Sequence, residues 1–123
     1  MFLEHVNLTV SDLDRTLEFY TGLLGYRLRW SGTTSDGRRA AHLGDDRYYL
    51  ALSEAKSKGG FAHDPVAVGI NHFGLVVDDL AVMKRRLAEL GVTPHSEADY
   101  EPGLRLYFRD PDGFEVELVE YAD

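Results

Sequence analysis

The side chains of this sequence that could bind a metal or transfer a proton are imidazoles and carboxylates, because the chain contains no cysteine. Two carboxylates, Glu115 and Glu117, lie close together in the segment FEVELVEY near the end of the sequence. Polar and apolar residues alternate there, which predicts a strand with both carboxylates on one face. Two imidazoles, His5 and His72, occur in the similar segments EHVNLTV and NHFGLVV. Two imidazoles and one carboxylate brought together could bind a divalent cation and leave coordination positions open.

Length and charge limit the kind of protein. A chain of 123 residues has the size of one domain. The net charge of −8, from 21 acidic and 13 basic residues, argues against a nucleic-acid partner, which requires a basic face. The first residues lack the pattern of a signal peptide, and no apolar run approaches the ~18 residues of a membrane span. We therefore expect a cytoplasmic protein that binds neither nucleic acid nor membrane.

The first half of the chain predicts a strand, a helix and three further strands. Residues 2–10 alternate and are rich in β-forming residues, and residues 13–24 have apolar positions at helical spacing. Ser11 or Asp12 could cap the start of this helix, and Gly25 could end it. Residues 26–44 predict a hairpin with an Asp-Gly turn, and residues 47–55 predict the fourth strand.

The second half of the chain repeats this pattern. Laid on the first half, it matches His72 with His5 and, after a one-residue slip, Asp112 with Asp46. Apolar positions of the strands and helices match as well. Such internal similarity indicates two copies of one structural unit.

The repeat predicts an α+β fold of two tandem βαβββ modules related by a pseudo-twofold axis. The modules are residues 1–55 and 69–123, joined by a linker over 56–68 within a single domain, 1–123. One helix covers only one face of a four-stranded sheet, so each module needs a cover for its other face. We therefore predict a curved eight-stranded sheet around a cleft, with the helices outside.

Strand alternation predicts which side chains face this cleft. On the first strand of each module and on the last strand, the apolar residues are expected to pack on the helices. The opposite faces carry His5, Asn7, His72, Glu115 and Glu117. A polar face of this kind is either solvated or lines a binding site, and the residue types alone leave both possibilities open.

Further side chains on the predicted cleft face could contact a substrate. Tyr49 and Ala51 share that face of the fourth strand, and Arg105 and Tyr107 share it on the seventh. Arg105 and its counterpart Arg39 could bind an anionic group, or be solvated or paired with acids. Tyr107 could donate a hydrogen bond to a substrate or pack as an aromatic residue.

The remaining candidates are expected to have other roles. His42 aligns with Phe108, so we expect it on the helix-facing side as a core or edge residue. His63 and His95 lie in predicted loops and are expected to be solvated. Trp30, the single tryptophan, is expected at the mouth of the cleft or at a dimer surface.

Three segments together carry a resemblance to a known family: HVNLTVSD, HFGLVVDD and DPDGFEVEL. Over residues 2–121 the chain resembles the vicinal oxygen chelate superfamily of glyoxalase I, bleomycin resistance proteins, extradiol dioxygenases, fosfomycin resistance enzymes and methylmalonyl-CoA epimerase. The resemblance implies that His5, His72 and Glu117 hold a divalent metal ion. Fe²⁺ or Mn²⁺ is favoured, and Zn²⁺ or Ni²⁺ is possible.

The resemblance also implies an enzyme that chelates neighbouring oxygens of a small substrate. The symmetry mate of Glu117 is Ala51, so the fourth side-chain ligand of glyoxalase I and the epimerase is missing. The chain therefore resembles the three-ligand members, which are dioxygenases and fosfomycin-type transferases, more than a lactoylglutathione lyase or an epimerase. Glu115 and Tyr107 are the acid–base candidates, and Asn7 is expected to support His5 or the substrate.

Two other functions remain open at this point. The chain resembles metal-free bleomycin resistance proteins, which sequester a small molecule, and this is the main alternative. The other is a structural or regulatory module whose histidines and glutamates face water. Relatives in the family complete the cleft either within one chain or by exchange between two chains, and we expect a homodimer.

Overall fold

The computed structural model describes residues 1–100 and 103–122, and the chain forms two compact units, Met1–Gly60 and Phe61–Asp123. Each unit contains one helix and one four-stranded mixed sheet, which confirms the predicted α+β fold of two βαβββ modules. The eight strands are divided four and four between the two units. The division between the units falls within the segment that the sequence predicts as a linker.

The first unit has the strand order β1-β4-β3-β2. Its elements are β1 (His5–Val10), α1 (Leu13–Leu24), β2 (Arg27–Thr33), β3 (Arg39–Gly44) and β4 (Tyr49–Glu54). The pair β1 and β4, at one edge of the sheet, is parallel, and the other two pairs are antiparallel.

The second unit has the equivalent order β5-β8-β7-β6. Its elements are β5 (Phe73–Val76), α2 (Leu80–Glu89), β6 (Ser96–Tyr100), β7 (Gly103–Arg109) and β8 (Glu115–Tyr121). Here too the pair formed by the first and last strands is parallel. The last strand of each unit therefore lies beside the first, which brings distant residues together.

Each helix packs on one face of its own sheet, and alternate strand residues fill the space between them. Burial of each large apolar side chain contributes roughly 1.5–3 kcal/mol. Buried residues of the first core include Leu8, Val10, Leu13, Tyr20, Leu23, Leu43, Leu50 and Leu52. Buried residues of the second core include Leu80, Leu87, Leu106, Phe108, Val116 and Leu118. The alternate residues of the strands are left on the opposite face of each sheet.

Two carboxylates fix the start of each helix. Asp12 and Asp79 accept hydrogen bonds from the amide three residues later, at 3.0 and 3.2 Å, as N-caps do. Glu54 and Glu120, from β4 and β8, accept the first helical amide at 2.9 and 2.8 Å. Each helix is thereby tied to the last strand of its own unit. With 12 and 10 residues, the helices of the described ranges are too short to span a membrane.

The turns before the last strand differ between the two units. The pairing leaves four residues in the turn between β3 and β4 and five in the turn between β7 and β8. Ala51 therefore lies opposite His42, whereas Glu117 lies opposite Tyr107. The predicted alignment of His42 with Phe108 is wrong by one residue, and His42 lies on the face away from the helix.

Candidate functional site

A buried carboxylate, Glu117, organises the open face of the second sheet. Its side chain lies in β8 on the face away from α2, and the residue is only 7% exposed. Oε1 lies 2.9 Å from Nε2 of His72, which immediately precedes the neighbouring strand β5. Oε2 accepts a hydrogen bond from Nη1 of Arg105 in β7, and the Tyr107 hydroxyl donates to the same carboxylate. The Glu117 carboxylate therefore accepts hydrogen bonds from His72, directly before β5, and from Arg105 and Tyr107 of β7.

The turn before β8 sets where this strand begins. Oδ1 of Asp110 accepts hydrogen bonds from the amides of Asp112 and Phe114, at 3.0 and 2.9 Å. Gly113 has φ +90, in the left-handed region that glycine adopts without strain. The Asp-Pro-Asp-Gly turn predicted from the sequence thus fixes Glu115 as the first residue of the strand.

The surroundings of Glu117 keep it ionised. Burial by itself raises the pKa of its carboxyl group, but the hydrogen bonds from Arg105 and His72 and the charge of Arg105 outweigh burial. The pKa therefore lies below the ordinary value of 4.5. At neutral pH the side chain is an anion, which is the form that binds a cation.

His72 and Glu117 fit as two ligands of one small divalent cation. Two ligands at right angles with bonds of about 2.1 Å lie about 3.0 Å apart, close to the 2.9 Å between these donor atoms. No group of three or more His, Asp or Glu side chains within residues 1–100 and 103–122 is arranged to hold a metal. The third ligand that the resemblance implies, His5, belongs to the first unit.

Asn71 holds the other ring nitrogen of His72. Its Oδ1 lies 2.8 Å from Nδ1 of His72, and its Nδ2 donates to the carbonyl oxygen of Pro65 at 3.0 Å. The carbonyl oxygen of Asn71 accepts a hydrogen bond of 2.6 Å from Nε2 of His63. Asn71 is not among the residues predicted from the sequence, although it is a polar residue directly before a candidate ligand.

His63 and His95 surround Glu115 rather than facing solvent alone. The His63 side chain is 6% exposed, so the prediction that it is solvated is wrong. Nε2 of His95 lies 3.0 Å from one Glu115 oxygen, and Nε2 of His63 lies 3.8 Å from the other. The ring of Phe61 packs on Phe114 at 4.7 Å, which anchors this segment beside the start of β8. Nδ1 of His63 is buried and has no hydrogen-bonding partner in the described part of the chain.

The open face of the first sheet carries a series of stacked rings. The His5 ring stacks on Tyr49 with centroids 4.9 Å apart, and His42 stacks on the same tyrosine at 4.5 Å. Trp30, paired with His42 in the sheet, contacts the His42 ring at 4.9 Å. The pairing is irregular at Arg29, and its guanidinium lies 4.6 Å from the centre of the Tyr49 ring. This face therefore combines aromatic surface with the guanidinium of Arg29.

Glu4 holds Nδ1 of His5 much as Asn71 holds Nδ1 of His72. One Glu4 oxygen lies 3.0 Å from that nitrogen, and the Tyr49 hydroxyl also donates to this carboxylate. These hydrogen bonds lower the pKa of Glu4 below its ordinary value. Asn7 and Ala51 are paired across β1 and β4, and the methyl group of Ala51 offers no ligand.

Arg39 does not share the face of its predicted counterpart Arg105. Nη2 of Arg39 donates to Asp14 of α1 at 2.7 Å, so the side chain lies on the helix side of the sheet. The cause is the same one-residue difference between the turns that misplaced His42. Arg105 stays on the open face of the second sheet, where its guanidinium pairs with Glu117.

Comparisons with known proteins place the chain in a family. The family model of the Glyoxalase/Bleomycin resistance protein/Dioxygenase superfamily matches residues 2–118. A probable chloroplastic lactoylglutathione lyase of Arabidopsis thaliana is 32% identical over 94% of this chain, which spans only 35% of that protein. The lactoylglutathione lyase of Salmonella typhimurium is 30% identical over 100% of this chain and 95% of its own length. Glutathione transferase FosA of Serratia marcescens is 33% identical over 94% of this chain and 78% of the transferase.

A solved structure agrees with this assignment. The crystal structure of a glyoxylase/bleomycin resistance protein/dioxygenase domain from a Frankia species has a TM-score of 0.86 and 27% identity to this chain. The match covers 100% of this chain and 93% of that domain. The resemblance inferred from the three sequence segments is therefore confirmed. This chain belongs to the Glyoxalase/Bleomycin resistance protein/Dioxygenase superfamily.

Proposed function

We propose that this protein is a metal-dependent enzyme in which His5, His72 and Glu117 hold one divalent cation. The single observation that carries the proposal is the distance of 2.9 Å between Nε2 of His72 and Oε1 of the buried Glu117. An imidazole nitrogen and an ionised carboxylate oxygen at this separation are suited to a divalent cation such as Mn²⁺, Fe²⁺ or Zn²⁺. Fe²⁺ or Mn²⁺ is the favoured ion, with Zn²⁺ or Ni²⁺ as the other candidates.

The residues around the proposed centre would bind and orient a small substrate. A bound cation would supply Lewis acidity to two neighbouring oxygens of that substrate. Glu115, held between His63 and His95, and Tyr107, whose hydroxyl reaches Glu117, are the groups we assign to proton transfer.

Three residues of the first sheet and Arg105 of the second sheet supply the remaining surface. Tyr49 offers a stacking surface, and Ala51 leaves space where a bulkier side chain would intrude. Asn7 and Arg105 add polar contacts, although Arg105 must leave Glu117 before it can bind an anionic substrate group. A cytoplasmic homodimer is the assembly we propose, with the substrate as the other partner.

The absence of a ligand at residue 51 supports a three-ligand centre. Ala51 stands where the symmetry of the two units would place a second Glu117. Dioxygenase-type or fosfomycin-transferase-type chemistry fits such a centre, because three side-chain ligands leave more positions open for substrate. Relatives named lactoylglutathione lyase make isomerase chemistry the next candidate, and Ala51 argues against it.

One contact favours a second function, which is metal-free binding of a small molecule. The guanidinium of Arg105 already neutralises Glu117, and His72 completes the hydrogen bonds of this carboxylate. Such a group is satisfied without a cation. The aromatic face of the first sheet could then sequester an aromatic molecule such as an antibiotic.

Metal titration separates the two functions. The protein is stripped with a chelator and titrated with Mn²⁺, Fe²⁺ under nitrogen, Zn²⁺ and Ni²⁺, and both heat of binding and thermal unfolding are measured. We expect one ion per chain and a rise in stability of about 2.7 kcal/mol at an ion concentration of 100 times Kd. His5→Ala, His72→Ala and Glu117→Gln should each remove most of the affinity and the stabilisation.

The matched control is the exposed Glu97, which lies on the edge strand β6 and pairs with Lys84 of α2. Glu97→Gln removes one negative charge, as Glu117→Gln does, and should leave metal binding unchanged. If no ion binds the parent protein, or if all variants bind equally well, the metal-dependent function is wrong.

A further inference from the structure

Each histidine proposed to bind the metal is preceded by a residue that holds its Nδ1 atom. Oδ1 of Asn71 lies 2.8 Å from Nδ1 of His72, and Oε1 of Glu4 lies 3.0 Å from Nδ1 of His5. The alignment of the two modules places residue 71 on residue 4. The same contact therefore occurs at equivalent positions of both units, with an amide in one and a carboxylate in the other.

The direction of the Asn71 amide is set by a second contact. Its Nδ2 donates to the carbonyl oxygen of Pro65, so the oxygen of the amide is the atom that faces His72. A carbonyl oxygen can only accept, and therefore Nδ1 of His72 donates its proton to Asn71. Nε2 faces the Glu117 carboxylate and must be free of its own proton when it binds a cation. The Glu4 carboxylate is also only an acceptor, so the same reasoning assigns the proton of His5 to Nδ1.

We propose that Asn71 and Glu4 are positioning residues that hold the Nδ1 proton of His72 and of His5, and thereby leave Nε2 of each ring as the atom that binds a cation. This inference rests on the proposed function for the identity of the ligand. A hydrogen bond to the ring nitrogen that does not bind the ion determines the tautomer and the orientation of a metal-binding histidine.

Both positioning residues are themselves held in place. Nε2 of the buried His63 donates to the backbone oxygen of Asn71, which fixes the chain directly before His72. Glu4 receives the Tyr49 hydroxyl, and the Tyr49 ring stacks on His5. Tyr49 therefore helps to orient His5, in addition to offering a stacking surface on the open face of the sheet.

Pairs of variants test the inference through metal affinity. Asn71→Leu and Glu4→Leu remove the acceptor, whereas Asn71→Asp and Glu4→Gln keep one, and Kd for Mn²⁺ and Zn²⁺ is measured by calorimetry. We expect the leucine variants to bind these ions about 10–100-fold more weakly. The Kd values of Asn71→Asp and Glu4→Gln should remain close to those of the parent protein, because an acceptor for the Nδ1 proton is still present. Equal affinity in the leucine and conservative variants would overturn the inference.

Ring NMR tests the same inference independently of metal binding. Nitrogen-15 spectra of the metal-free protein should show Nδ1 protons on His5 and His72 that exchange slowly with water. Asn71→Leu should lose the slow exchange at His72 alone, and Glu4→Leu at His5 alone. An Nδ1 atom without a proton in the parent protein would contradict the assignment. If the parent binds no ion, the proposed function fails, and these spectra still decide the tautomers.

Discussion

Nε2 of His72 and Oε1 of Glu117 lie 2.9 Å apart although 45 positions separate them in the chain. The parallel pairing of β5 with β8 brings them together, because Gly74 is paired with Glu117 and His72 lies two residues before Gly74 on the same face. The other Glu117 oxygen is held by Arg105. This carboxylate therefore lies between an imidazole and a guanidinium.

Arg105→Leu should lower the free energy of unfolding of the metal-free protein. It should also increase the stabilisation that a bound metal ion provides. The side chains of Arg105 and Glu117 are 17% and 10% exposed, and removal of Arg105 leaves the carboxylate without its charged partner. A cation can then neutralise the unpaired carboxylate without competition from the guanidinium. Urea unfolding with a chelator and with Mn²⁺ measures both effects. Arg105→Lys, which keeps the charge, is the control, and a smaller metal response in Arg105→Leu than in the parent would contradict the prediction.

Acid should remove the stabilisation that Glu117 provides to the metal-free protein. Its pKa lies below the ordinary 4.5, so the folded state favours the anion. The contribution is complete above pH of about 4.5 and is lost as the pH falls through the lower folded value. We expect Glu117→Gln to be less stable than the parent by about 1.5–3 kcal/mol at pH 7. The difference should shrink towards pH 3, as measured by urea unfolding with a chelator; a difference that grows on acidification would contradict this.

The carboxylates that cap the two helices should each contribute to stability. Glu54→Gln and Glu120→Gln weaken a charged hydrogen bond to the first helical amide, and we expect a loss of about 0.5–1 kcal/mol each. Glu18→Gln, on the exposed surface in the middle of α1, should change stability by less. Chemical denaturation compares the three variants. If Glu18→Gln costs as much as the other two, the capping role is not the cause.

His42→Ala should cost stability and leave metal affinity unchanged. The His42 ring stacks on Tyr49 and contacts Trp30, and loss of such ring contacts costs roughly 0.5–1.5 kcal/mol. Denaturation and calorimetry on the same sample measure the two quantities. A large fall in metal affinity would show that His42, which lies opposite Ala51, serves as a ligand after all.

The sequence by itself determined the modules and the composition of their faces. Period-2 strands, period-3.6 helices and a repeated order of elements were enough to predict two βαβββ units. Alternation within a strand is a local property, because successive side chains point to opposite sides of the sheet. For this reason the same rule correctly placed His5 with Asn7, and Glu115 with Glu117, on the open faces.

Only the tertiary structure decided which of these side chains touch. A turn that is one residue shorter moved His42 to the open face and Arg39 to the helix side, because a shift of one residue exchanges the faces of a strand. The segment before β5 packs on β8 through Phe61, and this burial, which no periodic pattern signals, placed His63 beside Asn71 and Glu115. The alternation of polar and apolar residues is set within one strand and can be predicted from the sequence. Strand register and loop packing depend on contacts between residues that are far apart in the chain.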